Sequence, residues 1–256
     1  MPFQLKPVVS VIMPCHNGGQ YIKFAIESIQ AQTLSDWELL VIQNNSTDNS
    51  SEIVQSLRDK DARIQELDCQ TPGAAAARNV GIAAARGRFI AFLDCDDQWL
   101  PNKLQEQIHL LEQESAAFSW ASYEVMDAAG QTMRIQRCHT QTSYIDLLYK
   151  RKVIGCLTAI YDTHQFGKVM MPAIRMRQDY GLFLKLLRTA EQKGLRAIGL
   201  DQCVARYRVH AESMSHNKMR AAYFQWRLYR DIEKLPLMSS LAAMGRYFMH
   251  GIRDRA

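Results

Sequence analysis

No apolar run in this chain approaches the roughly 18 uninterrupted residues that a membrane-spanning helix needs, so no spanning segment is expected. The first residues, Met1-Pro2-Phe3-Gln4-Leu5-Lys6, lack the basic start and apolar stretch of a secretory leader. Glycine and proline are sparse, at 13 and 7 in 256 residues, which argues against disordered or collagen-like character. Internal repeats and low-complexity tracts are missing as well. The six cysteines, at 15, 69, 95, 138, 156 and 203, form no Cys-x-x-Cys pair and find no histidine at zinc spacing. They read as free, mostly buried thiols of a reducing compartment, and the expected location is cytoplasmic. The chain also lacks Gly-x-Gly-x-x-Gly after its first apolar run, where only Gly18-Gly19 stands. A nicotinamide or flavin dinucleotide bound in the usual way is therefore not expected. A formal net charge of only +5 suits an anionic small ligand, an acidic membrane surface or nucleic acid equally. Once the motifs below are weighed, nucleic acid is not expected as a partner.

What is present is apolar sequence in short, regularly interrupted pieces. With 47% hydrophobic residues, the chain can bury one sizeable core and carry a small appendage. Val8 to Met13 reads as a buried strand halted at Pro14, and Ile22, Ile26 and Ile29 follow at helical spacing. Trp37 to Ile42 is a second strand, whose polar tail Gln43-Asn44-Asn45-Ser46-Thr47-Asp48 leads into a helix with Ile53, Val54 and Leu57 inward. A weaker strand at 63–67, an alanine-rich helix at 74–85 and a strand at 89–93 complete the alternation. Repeated strand-helix units with short connections imply a parallel sheet covered by helices on both faces.

The fourth strand ends in Asp94-Cys95-Asp96-Asp97, three carboxylates in four positions. Like charges this close repel, so the cluster points to a cation or a set of hydrogen-bond donors among them. Strand carboxyl ends are where open α/β sheets bind ligands. The plainer reading is a solvated loop whose Asp97 helps to cap the helix that Pro101 opens as its first residue.

The run from Asn79-Val80-Gly81 through Gly87-Arg88-Phe89-Ile90-Ala91-Phe92-Leu93-Asp94-Cys95-Asp96-Asp97 resembles a pattern of inverting family-2 glycosyltransferases with the GT-A fold. Pro14-Cys15-His16-Asn17 and Tyr21 to Thr33 resemble that family's first loop and helix. Met176-Arg177-Gln178-Asp179 resembles its Glu-Asp segment in the form found in teichuronic-acid, capsular and lipopolysaccharide enzymes, with glutamine in the place of glutamate. Tyr207-Arg208-Val209-His210 to Ser215 resembles its closing loop.

The resemblance implies an α/β GT-A fold with a mostly parallel central sheet flanked by helices. The catalytic domain is expected over 1–212, with a nucleotide-binding half at 1–100 and an acceptor-binding half at 101–212, followed by C-terminal amphipathic helices at 213–256. It also implies a nucleotide-diphospho-sugar donor, a glycan or lipid-linked acceptor and Mn²⁺ or Mg²⁺, with Asp96 as direct ligand, Asp94 in support and His210 as a further contact. Asp97 is expected to cap a helix or stand behind the ligands. Asp179 becomes the base that accepts the acceptor proton. Pro14, His16, Asn17, Asn44, Arg78, Asn79, Asp94, Cys95, Asp96, Arg208 and His210 are the expected donor contacts. His16 would lie against the base, the Asn44 carbonyl would accept the uracil imide where the family has a carboxylate, and Arg208 and His210 would meet the phosphates. Several of these have plainer readings too. His16 could be a backbone-satisfied loop histidine, Asp179 an ordinary first-turn acid favoured by the helix dipole, and Arg208 a snorkelling strand end.

Towards the end of the chain, Phe224, Leu228, Ile232 and Leu235 form one helical stripe, and Leu241, Met244, Phe248 and Ile252 form another beyond Pro236. Arginines interleave with Tyr223, Trp226 and Tyr247. Packing on the domain, a homodimer face and peripheral contact with the inner face of an anionic membrane all remain open for these helices. Two other function classes stay in view: a sugar-phosphate nucleotidyltransferase, whose basic glycine-rich loop is missing at 14–19, and a non-catalytic sugar-nucleotide-binding module.

Overall fold

The computed structural model describes residues 6–150, 153–210 and 218–253. Its first third alternates as the apolar spacing predicts: β1 (Val9–Cys15), α1 (Ile22–Gln30), β2 (Trp37–Gln43), α2 (Ser50–Arg58), β3 (Ile64–Asp68), α3 (Ala74–Ala84) and β4 (Phe89–Phe92). These four strands pair in parallel in the order β3-β2-β1-β4. Then come β5 (Gln98–Trp99), α4 (Lys103–Gln113), β6 (Ala116–Met126), β7 (Thr132–Gln136), α5 (Tyr144–Tyr149), β8 (Ile160–Asp162), α6 (Thr163–Phe166), α7 (Gln178–Lys193) and β9 (Arg196–Arg208). The sheet continues through β8, β6, β9 and β5 with mixed direction, β8 running antiparallel to β4 and β6 parallel to β9. Parallel pairing thus holds where the nucleotide half was expected and gives way beyond it.

Side chains alternate across the strands, and both faces are covered. Ile12, Leu40, Ile42 and Phe92 pack under α3 and α7, while Val11, Met13, Leu39 and Val41 pack under α1, α2 and α4. Gly81 lets α3 approach closely: a Cβ there would stand 2.6 Å from Ile12 and 2.8 Å from Ile42. At the opposite end from the acidic loop, buried Glu38 accepts from Ser10 Oγ at 2.6 Å, Arg86 N at 2.7 Å and Arg86 Nε at 2.8 Å, fixing the entry to β4.

One local expectation changes, and the C-terminal helices, left open by the sequence, acquire an orientation. Pro101 lies in a turn, and α4 begins at Lys103 with Asn102 in the capping position, so Pro101 is not the first helical residue. α8 (Lys218–Arg227) runs on into a π turn at Leu228–Ile232; Leu228 is buried, but the widened turn leaves Ile232 exposed. In α9 (Leu237–Arg253) the side packed on the domain is Ser240, Ala243, Met244 and Tyr247, while Leu241 and Phe248 face outward. The Ile252 side chain falls outside the described residues. Among the described residues, no helix is long and apolar enough to cross a membrane.

Candidate active site

The site gathers at the carboxyl ends of β1, β2 and β4. The loops after β1 and β2 are built as one piece. Asn17 and Asn45 both take left-handed backbone, φ 52° and 58°, a conformation that asparagine tolerates better than most residues. The Asn17 carboxamide oxygen accepts from Thr47 N at 2.8 Å, and Asn17 N donates to Ser46 Oγ at 3.2 Å. Asp48 accepts from Gly19 N at 2.7 Å. His16 Nδ1 donates to Asn44 O at 2.7 Å, which pins the ring at the surface and leaves Nε2 as the free acceptor of the neutral form. Pro14 pairs opposite Ile42 inside β1 and does not halt it, since the strand runs on to Cys15 opposite Gln43.

Asn44 is engaged differently from its expected role. Its Nδ2 donates to Cys69 O and Thr71 O, each at 2.8 Å, and its Oδ1 accepts from Gly73 N at 2.7 Å. The amide is buried and holds the loop before α3, a structural tie that the sequence reading did not assign to it. Asn79 is likewise a clasp and not a nucleotide contact: Nδ2 donates to Met171 O at 3.0 Å, and Oδ1 accepts from Met171 N at 2.8 Å. The Asn17 side chain ties loop to loop in the same way.

The acidic loop is held from three sides. Arg78, buried on α3, donates through Nη2 to Asp94 Oδ1, while its Nε and Nη1 have no hydrogen-bond partner among the described residues. Cys95 turns its sulfur towards Gly18, whose added Cβ would stand 2.8 Å from it and 3.2 Å from Cys15 Sγ. That thiol packs the loop against the end of β1 and the turn after it. Asp96 Oδ2 lies 3.0 Å from His210 Nε2. Burial raises the Asp96 carboxyl, the Asp94 charge adds to the rise, and His210 opposes it.

Asp97 is 2% exposed and accepts from Arg208 N at 2.8 Å. It therefore joins the loop to the end of β9 and does not cap α4. Burial, with its two acidic neighbours, pushes the Asp97 carboxyl well above its ordinary range. A group raised by folding adds no penalty when both states are protonated, below the unfolded value of about 4. As the pH rises past that value the unfolded chain ionises first, and the folded state loses stability. Asn at 97 keeps an oxygen for Arg208 N and removes the charge, so Asp97→Asn is expected to gain about 1 kcal/mol at neutral pH and nothing near pH 4. Denaturant melts of both proteins at the two pH values check this, and a loss at neutral pH would contradict it.

Arg208 does not point a free fork at a phosphate. Its Nε donates to Asp96 O at 2.9 Å and its Nη1 to Ala128 O at 3.0 Å, with the guanidinium 4.5 Å over the Tyr21 ring. It staples the acidic loop to the 127–130 turn. Tyr21, which the sequence offers only as part of a longer run, also meets the His210 ring at 5.7 Å between centroids. It is a supporting residue the motif reading did not single out.

Asp179 lies in the first turn of α7, directly after Gln178, a buried neutral amide, and Arg177, whose φ of 69° opens the helix. The fields at three neighbours relate it to the acidic loop. Arg78 feels both Asp94 and Asp179, the buried Cys156 thiol feels Arg78, Asp94, Asp179 and Asp97, and the Tyr123 hydroxyl feels Asp97 and Asp179. The charges of the acidic loop and of Asp179 thus act on the same three side chains, Arg78, Cys156 and Tyr123, so the loop and the start of α7 lie near one another.

The Glycosyl transferase family 2 model matches residues 10–169. A Bacillus subtilis glycosyltransferase named for teichuronic acid biosynthesis is 37% identical over 98% of this chain and 98% of its own length. The Escherichia coli protein WfgD, named a UDP-Glc:alpha-D-GlcNAc-diphosphoundecaprenol beta-1,3-glucosyltransferase, is 34% identical over 97% of this chain and 95% of its own. Among solved structures, S. aureus TarS 1-349 in complex with UDP-GlcNAc superposes with a TM-score of 0.72 at 19% identity, covering 94% of this chain and 72% of that one, a likeness of fold. A strand-end acidic loop facing a first-turn aspartate, on this sheet and with these relatives, makes the chain a member of glycosyl transferase family 2 with the GT-A fold, a glycosyltransferase.

Proposed function

We propose that the chain transfers a sugar from a UDP- or dTDP-sugar to a hydroxyl of a glycan or lipid-linked acceptor during synthesis of a bacterial surface polysaccharide, with inversion at the anomeric carbon. The observation that carries this reading is the nearness of the acidic loop to Asp179, whose charges act together on Arg78, Cys156 and Tyr123. The UDP donor and lipid-linked acceptor are carried over from the name of WfgD, and the surface-polysaccharide setting from that of the Bacillus subtilis relative, both of which agree with the chain along nearly its whole length.

The family resemblance implies Mg²⁺ or Mn²⁺, and the chemistry of the loop fits a hard cation. Asp96 presents carboxylate oxygens beside His210 in a setting that disfavours its negative charge, which a cation relieves. Asp94 is already paired with Arg78. Among the described residues, no three histidine, cysteine, aspartate or glutamate side chains converge as a ready cage. Asp96 and His210 would be the protein's groups holding such a cation, which as a hard ion would take oxygen ligands besides. A bound cation offsets the charge that builds on the departing diphosphate.

The chain's own residues do the remaining work. Arg78 holds two buried nitrogens, Nε and Nη1, without a partner among the described residues, and donor oxygens satisfy them on binding. Asp179 takes the proton of the acceptor hydroxyl as that oxygen attacks from the opposite side. One displacement inverts the centre. Holding the two reactants in line supplies much of the acceleration, because an ordinary aspartate is a weak base.

Thermal-shift measurement with UDP-, dTDP- and GDP-sugars, with and without Mn²⁺, tests donor and metal together. A saturating UDP- or dTDP-sugar with Mn²⁺ is expected to raise Tm by about 5–10 °C, and Asp96→Asn to abolish the metal-dependent part. Equal stabilisation by every nucleotide without metal would overturn the assignment of Asp96.

A further inference from the structure

α9 has two apolar sides, and the domain covers only one. Ser240, Ala243, Met244 and Tyr247 face inward, whereas Met238, Leu241 and Phe248 are 77%, 51% and 53% exposed, with Leu237 and Met249 beside them. A stripe of this size on one helix marks a contact surface. Charge identifies the partner. Residues 1–217 hold 23 Lys and Arg against 23 Asp and Glu and are formally neutral, while residues 218–256 hold 8 against 3, so the whole +5 lies in this last segment.

We propose that α8 and α9 seat the enzyme on an anionic lipid bilayer, the uncovered stripe of α9 entering the headgroup boundary and the surrounding arginines and lysines meeting lipid phosphates. A second copy of the chain fits less well. A two-fold contact would set this positive segment against itself, and like charges across an interface repel. A bilayer with acidic headgroups instead offers apolar depth and opposite charge in the same place.

The seat is rigidly joined to the catalytic side. The Arg177 Nη2 donates to Tyr247 Oη at 3.1 Å, and Arg177 is the residue that opens α7 two positions before Asp179. Glu233, in the turn between α8 and α9, is buried against Arg188 of α7 and accepts from Tyr144 Oη at 2.7 Å. A helix bound at the lipid surface therefore fixes the height of α7, and the active site with it, above that surface. This inference stands on exposure and charge and does not depend on the proposed donor or acceptor.

Flotation of the full chain with phosphatidylcholine vesicles, with and without phosphatidylglycerol, tests it. At low salt the protein is expected to enrich at least about tenfold on the anionic vesicles, and added salt to weaken the enrichment. Leu241→Glu with Phe248→Glu, both outward-facing, is expected to remove the enrichment while the melting curve stays unchanged. Should that variant fold poorly, Arg220→Glu with Lys234→Glu leaves the apolar stripe intact and is expected to abolish the preference for anionic over neutral vesicles. Sedimentation velocity on the same proteins supplies the opposing outcome. No enrichment on anionic vesicles, or a native dimer that Leu241→Glu with Phe248→Glu converts to monomer, overturns the proposal.

Discussion

Asp179→Asn is expected to lower kcat for sugar transfer by about a thousandfold while the donor KM moves by no more than about twofold. The substitution keeps the shape of the side chain and removes its ability to take a proton. Its structural cost is small, because α7 is anchored by Leu182, Phe183, Leu186 and Leu187, all buried. The lost first-turn charge costs about 0.5 kcal/mol through the helix dipole. A change confined to kcat separates a base from a binding residue, since a donor contact would move KM as well. Retention of more than about a tenth of the native rate would place the base elsewhere. Steady-state kinetics with a thermal melt of the same preparation provide both readings.

The second large effect is structural. Arg78 is nearly fully buried, and its only hydrogen-bond partner among the described residues is Asp94. Asp94→Ala strands that guanidinium, at a cost of about 3 kcal/mol, which for a chain of this size lowers Tm by about 6–12 °C. Asp94→Ala with Arg78→Met removes both charges and fills the space with a flexible apolar side chain, so most of the lost stability is expected to return. Activity is expected to stay lost, because the buried cation beside the donor is gone. Calorimetry on the three proteins decides this. If the double variant melts no higher than the single one, the pair is not what holds the loop.

The sheet was legible because its strands are short apolar runs buried on both faces, each ended by polar turn residues. Val9 to Cys15 and Trp37 to Gln43 have no other use for so many consecutive apolar positions. The acidic loop and Asp179 were legible from ordered motifs spanning many residues. Side-chain commitments were not. Asn44, Asn79 and Arg208 stand where donor contacts were expected, yet each spends its hydrogen bonds on backbone groups 25 to 112 residues away along the chain. A motif records that a polar residue belongs at a position, and only the fold shows whether its partner is ligand or loop. The C-terminal stripe was left open by the sequence for a different reason. Leu241 and Phe248 share a face at helical spacing, but a helix with apolar residues around most of its circumference does not declare which side meets the core.

The two hydrogen bonds between Asn79 and the single residue Met171 constrain how the molecule can open. Bonds in both directions to one residue behave as a pin: sliding the chain at 171 along α3 either way stretches one of them. The segment leading to α7 is therefore locked in register with the helix that carries Arg78. Drawing residue 171 away from α3 costs both bonds at once, so the two segments are expected to move together.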